Sequence, residues 1–156
     1  MIVKGYEIED RVVAEIGKFA ILWNCFERLF FNNFLSPKDI IKKSNIIAVD
    51  REKEKALVDE IQKRIYLLYD DDVNNYVNDG LHPGNAIQSD GKYKQYMQEF
   101  IDQSSQNSTI GCLLIIHRIR NNLMHGLKMP DNLNGQYKLF KAVNGVLESV
   151  ERINDN

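Results

Sequence analysis

An all-α fold is predicted by three observations in this sequence of 156 residues. Apolar residues recur at three- and four-residue spacing in several long segments, as they do on the buried face of an amphipathic helix. Residue types that begin and end helices stand at the edges of these segments. No segment alternates apolar and polar residues as a half-buried strand would. The patterns predict one domain, residues 1–156, folded as an up-and-down bundle of four main helices plus short extra helices.

The first long helix is expected over residues 6–35, because its apolar residues form one stripe: Val12, Ile16, Phe19, Trp23, Phe26, Phe30 and Phe34. Ser36 and Pro37 end this helix, since the residue before a proline is pushed out of helical geometry. The same pair can begin a short second helix, with Ser36 as its N-cap. Glu27 is an acidic exception to this stripe, because it projects at about the same angle as Trp23 and Phe34. It either projects to the buried side or lies at the edge of the stripe and reaches water.

The remaining helices follow from similar signals. Asp50 is expected to cap a helix over residues 51–69, whose buried stripe is Leu57, Ile61, Ile65 and Leu68. Residues 70–109 carry weaker patterns, which indicate a helix end or loop, a turn at 80–84 and a short helix near 93–101. The last helix is expected over residues 136–153. Its apolar residues repeat like the seam of a coiled coil, which packs against a neighbouring helix.

Composition excludes several classes of protein. The hydrophobic fraction of 44% and the charged fraction of 27% are typical of a globular protein in water. The sequence has neither a membrane-spanning window nor a signal-peptide layout, so we expect a cytoplasmic protein without membrane partners. Cys25 and Cys112 are expected to be buried free thiols. The net charge of −2 offers no long-range attraction for nucleic acid, so RNA would have to bind a local patch.

The most apolar run, residues 110–126, contains an anomaly. Arg120 falls in the apolar sector of this predicted helix, whereas Arg118, Asn122 and His125 fall on the opposite side. A buried guanidinium keeps its proton and must meet an anion or water, so we expect Glu27 to be the structural partner of Arg120. A glycine at position 126 ends the helix, which leaves His125 at its C-terminal end.

Residues 120–125, Arg-Asn-Asn-Leu-Met-His, resemble the motif of the HEPN superfamily: an arginine, a polar residue and a histidine four to six positions later. In that family the motif lies on a helix of an all-α bundle, and many members are metal-independent ribonucleases. The resemblance therefore implies catalytic roles for Arg120, Asn121 and His125, with no metal and no cofactor. It also implies a homodimer, because members typically pair to bring two motifs into one cleft.

The motif suits RNA cleavage by the neighbouring 2′-OH. Histidine titrates near neutral pH and can transfer protons, while arginine binds phosphate oxygens through its planar fork. Asn121 could orient the phosphate or the histidine, and Arg118 and Lys128 could bind RNA at the rim. His117 lies on the apolar side and is expected to be a hydrogen-bonded core residue. The products, as the resemblance implies, would carry 2′,3′-cyclic phosphate and 5′-OH ends.

The biological setting has two interpretations. HEPN toxins controlled by a nucleotidyltransferase antitoxin commonly have a tyrosine two residues after the histidine, but this sequence has Leu127 there. A free-standing endoribonuclease in a toxin–antitoxin or phage-defence role, with an antitoxin or regulatory protein as partner, fits better than that subfamily. The competing interpretation is a non-catalytic helical module that binds RNA, nucleotide or protein. In such a module Arg120 would only be the structural partner of Glu27.

Overall fold

The computed structural model describes residues 1–32, 35–81, 91–124 and 130–153. Most of these residues are helical, which confirms the predicted all-α character. The helices described are α1 (Asp10–Phe31), α2 (Pro37–Lys43), α3 (Arg51–Leu68), the single turn α4 (Val73–Asn75), α5 (Gly91–Ile101), α6 (Ser108–Met124) and α7 (Tyr137–Ser149). A π-helical turn, Tyr76–Gly80, continues α4, and 3₁₀ turns cover Ser44–Ile46 and Pro130–Gln136.

Two small antiparallel ladders correct the predicted helix ends. Strands β1 (Ile2–Val3) and β2 (Tyr6–Glu7) form a hairpin, so α1 begins at Asp10 rather than at residue 6. Strands β3 (Ile47–Ala48) and β4 (Glu151–Arg152) pair across the length of the chain, so α7 ends at Ser149 rather than at residue 153. Strands of two residues are too short to show alternation, which is why the sequence did not predict them.

The predicted starts of α2 and α3 are confirmed by their caps. The Ser36 hydroxyl accepts from the backbone N–H of Asp39 at 3.3 Å, and the Asp39 carboxylate accepts from the backbone N–H of Ser36 at 3.1 Å. This reciprocal pair is a capping box, with Pro37 in the first turn. Asp50 accepts from the backbone N–H groups of Glu52 and Lys53 at 2.8 and 3.2 Å. Both caps satisfy backbone donors that have no partner inside the helix.

Helix α6 runs through the centre of the fold. Helices α2 and α5 pack against it, while α7 packs against α1 and α3. Every residue of α6 from 109 to 119 is buried. Its close contact with α5 requires Gly111, because a Cβ there would lie 2.6 Å from Phe100 Cβ and closer still to the carbonyl oxygen of Tyr96. The apolar side chains of all the long helices join one core cluster.

Cys25 and Leu68 differ in burial from their predictions, and the helices can be compared with the expectation of no membrane span. Cys25 is exposed, contrary to the prediction, whereas Cys112 is buried and burial raises the pKa of its thiol. Leu68 is also exposed, because it lies in the last turn of α3 beyond the packed stripe. No helix in the part of the chain that the structure describes is long and apolar enough to cross a membrane.

Candidate functional site

The burial of the two arginines of α6 is the reverse of what the sequence predicted. Arg118 is only 4% exposed and lies inside the bundle, where burial lowers the pKa of its guanidinium. Arg120 is partly exposed at the surface. The prediction that Arg118 lies at an RNA-binding rim is therefore wrong. Arg120 is the arginine of this helix that can meet a ligand from solution.

Arg120 lines a cavity of about 480 Å³ between α1 and α6. The cavity lies within the size range of small-molecule sites. Buried aromatic side chains, Phe19 and Trp23, form part of its wall. The remaining lining residues are Ala20, Asn24, Glu27, Leu123 and Met124, and Met124 is 64% exposed. The cavity therefore combines an apolar wall with charged and amide side chains.

Glu27 and Arg120 share this cavity, as the expected pairing requires, but they do not form the expected ion pair. No salt bridge joins them among the ion pairs of the described residues. Both side chains are partly exposed, so each charge is hydrated and neither needs the other for neutralisation. The role of Glu27 as structural partner of Arg120 is thus not supported. Its carboxylate is available to a ligand in the cavity.

The Arg120 side chain is held by its neighbour in the motif. Arg120 Nη1 donates to Asn121 Oδ1 at 3.0 Å. One hydrogen bond uses one of the five N–H donors of a guanidinium, so most of the fork can still bind an oxyanion. Asn122, the next residue, is 3% exposed and faces the core instead. The contact gives Asn121 an orienting role toward the arginine.

His117 lies behind the cavity and is buried, as predicted. Its ring centroid is 6.0 Å from that of Trp23. Burial, with Arg118 and Arg120 nearby, lowers the pKa of His117 to about 4, while a hydrogen bond to the Leu35 backbone acts in the opposite direction. His117 is therefore neutral at pH 7 and does not suit proton transfer near neutrality. His125, Lys128 and His82 lie outside the described residues.

A second cavity, of about 260 Å³, lies where α3 and α6 begin. Ser108 is the first residue of α6. Its hydroxyl donates to the Glu54 carboxylate and accepts from Arg51, so it joins the two helix starts. No group of three His, Cys, Asp or Glu side chains within the described ranges could hold a metal ion.

Comparison of the chain with protein-family models, with curated proteins and with solved structures finds no match. Sequence analysis identified Arg120, Asn121 and Glu27, which meet at or beside one cavity. It assigned Trp23 to the core stripe and overlooked Asn24, although both line that cavity. Their spacing from Glu27 on α1, four and three residues, is the signal that a shared face could have provided.

Proposed function

We propose that this protein is a metal-independent endoribonuclease of the HEPN type, which acts on RNA in the cytoplasm in a toxin–antitoxin or phage-defence role. The observation that carries the proposal is the contact between Arg120 and Asn121 beside an open cavity, five residues before His125 in the sequence. An arginine oriented by an amide and open to solvent suits a phosphate ligand. The four-helix up-and-down arrangement of the family is part of the same proposal.

The proposed reaction uses the nucleophile that RNA itself carries. His125 removes the proton from the 2′-OH, the 2′-oxygen bonds to phosphorus, and the bond from phosphorus to the 5′-oxygen breaks. The leaving oxygen takes a proton from an imidazolium. Arg120 binds the non-bridging oxygens, whose negative charge grows in the transition state. The products carry a 2′,3′-cyclic phosphate and a 5′-OH, and no metal ion takes part.

A homodimer is part of the proposal because the reaction needs two proton transfers. One subunit offers His125, while the low pKa of His117 excludes that residue from proton transfer near pH 7. A two-fold axis near the end of α6 would supply a second copy of the motif. The apolar residues Leu139, Val143 and Val146 of α7 are buried within one subunit, so they are not available to a dimer interface. Met124 is exposed beside the cavity at the end of α6, so it can contribute apolar surface to an interface around that axis.

Cleavage of total RNA in EDTA tests the proposal directly. The wild-type protein should cut RNA, and His125→Ala and Arg120→Ala should each reduce the rate by about 100-fold or more, the range reported for removal of an acid–base group or an oxyanion donor. Arg28→Ala is a matched control, because Arg28 is an exposed arginine near the end of α1. It should leave the rate unchanged.

Circular dichroism should show the same helix content in all four proteins. A folded His125→Ala protein that cuts RNA at the wild-type rate would contradict the proposed chemistry. RNA that binds without being cut would instead favour the competing interpretation, a helical module that binds RNA without catalysis.

A further inference from the structure

The carboxylate of Glu27 is unexpected in a cavity proposed to bind RNA. It lies on the same cavity as Arg120 yet forms no ion pair with it among the residues described. A carboxylate repels the phosphate backbone and only accepts hydrogen bonds. In an RNA site it therefore has to face hydrogen-bond donors, and the donors of RNA are on its bases and its 2′-hydroxyls.

The donor pattern of the bases selects one of them. Guanine presents two adjacent donors on its Watson–Crick edge, N1–H and the N2 amino group, which match the two oxygens of a carboxylate. Adenine and cytosine each present an amino group beside an unprotonated ring nitrogen, which a carboxylate repels. Uracil presents a single N–H between two carbonyl oxygens. A carboxylate in a base-sized cavity thus favours guanine over the other three bases.

The rest of the cavity suits a planar base. Phe19 and Trp23 provide an aromatic wall, and Leu123 and Met124 add apolar surface near Arg120. Bases of single-stranded RNA pack against aromatic and apolar side chains, and their edges then bind polar groups.

We propose that this cavity binds a guanine base of the RNA substrate, with the Glu27 carboxylate accepting from N1–H and the N2 amino group while Arg120 binds an adjacent phosphate. The inference rests on the proposed ribonuclease function, because it assigns base specificity to the same site. It makes Glu27 a specificity-determining residue and predicts cleavage next to guanosine.

Trp23 makes the inference measurable without any cleavage. It is the one tryptophan of the 156-residue sequence and lines the cavity, so its fluorescence reports on what binds there. In EDTA, guanosine monophosphate should change this fluorescence until the site is saturated. It should bind at least about tenfold more tightly than the adenosine, cytidine and uridine monophosphates. Inosine monophosphate lacks the N2 amino group and should bind between guanosine and adenosine monophosphates.

The variant Glu27→Gln should remove the preference, because its amide nitrogen would face a donor of the base. Glu99→Gln, which changes a partly exposed carboxylate at the second cavity, should retain the preference. Equal binding of all four nucleotides, no binding, or an unchanged preference in Glu27→Gln would overturn the inference.

The inference and the proposed function fail separately. Selective binding of guanosine monophosphate by a protein that cuts no RNA would retain the base site and remove the nuclease. RNA cleavage without base preference, together with equal binding of the four nucleotides, would remove the base site and retain the nuclease.

Discussion

Arg118 and Arg120 are two residues apart on α6, yet one is buried and the other reaches the surface. Helical periodicity could not separate them, because α6 is surrounded by neighbours and every residue from 109 to 119 is buried. A helix with apolar residues on all sides has no polar face from which to read the environment of one arginine. The sequence identified Arg120 and Asn121 as candidate residues, but the exposure of the two arginines depends on the packing of segments that are distant in the sequence.

Because the pKa of His117 is lowered in the fold, the stability of the protein should depend on pH. Its pKa is lowered from 6.5 to about 4 in the folded protein, so between these values the unfolded chain binds more protons. The free energy of unfolding should therefore fall by about 3 kcal/mol from this residue as the pH falls from 7 to 4, and only slightly further below that, where the folded protein is protonated as well. Urea titrations of wild type and His117→Gln across this range measure the difference.

The His117→Gln protein should show the shallower dependence on pH, because glutamine does not titrate. Carboxylates contribute to both proteins alike and cancel in the comparison. Parallel curves for the two proteins would show that His117 is not protected from protonation in the fold.

Among the elements, local signals predicted the starts of α2 and α3, whereas strand pairing set the start of α1 and the end of α7. The caps at Ser36 and Asp50 are made by neighbours in sequence, so their residue types were sufficient to predict them. The start of α1 and the end of α7 depend instead on ladders that involve residues 2–3 and 47–48. The β3–β4 pairing joins segments more than 100 residues apart, a contact that no local pattern reports.

Gly111 is the residue on which the packing of α5 against α6 depends most. Gly111→Ala should destabilise the protein by about 2 kcal/mol, because the added methyl group would clash with the Tyr96 carbonyl oxygen and Phe100 Cβ. Gly17→Ala on α1 is the matched control, since a Cβ there meets nothing within 4 Å. It should stabilise the protein by about 1 kcal/mol through helix propensity. Thermal unfolding of both variants provides the measurement, and a stable Gly111→Ala protein would contradict the described packing.

At the scale of the whole molecule, the proposal requires two subunits. Sedimentation velocity should find a dimer at the protein concentrations where RNA is cut. Met124→Glu introduces a charge at the exposed apolar surface beside the cavity and should produce monomers. Leu67→Glu changes a residue that is also exposed, on α3, and should remain dimeric. A wild-type monomer at active concentrations would contradict the shared cleft.

Replacement of the 2′-OH of RNA shows whether that group is the nucleophile. The wild-type protein in EDTA is incubated with a guanosine-containing oligoribonucleotide and with the same sequence carrying 2′-O-methyl groups throughout. We expect the first to be cut to fragments ending in 2′,3′-cyclic phosphate and the second to stay intact. Cleavage of both oligonucleotides, or of neither, would contradict it.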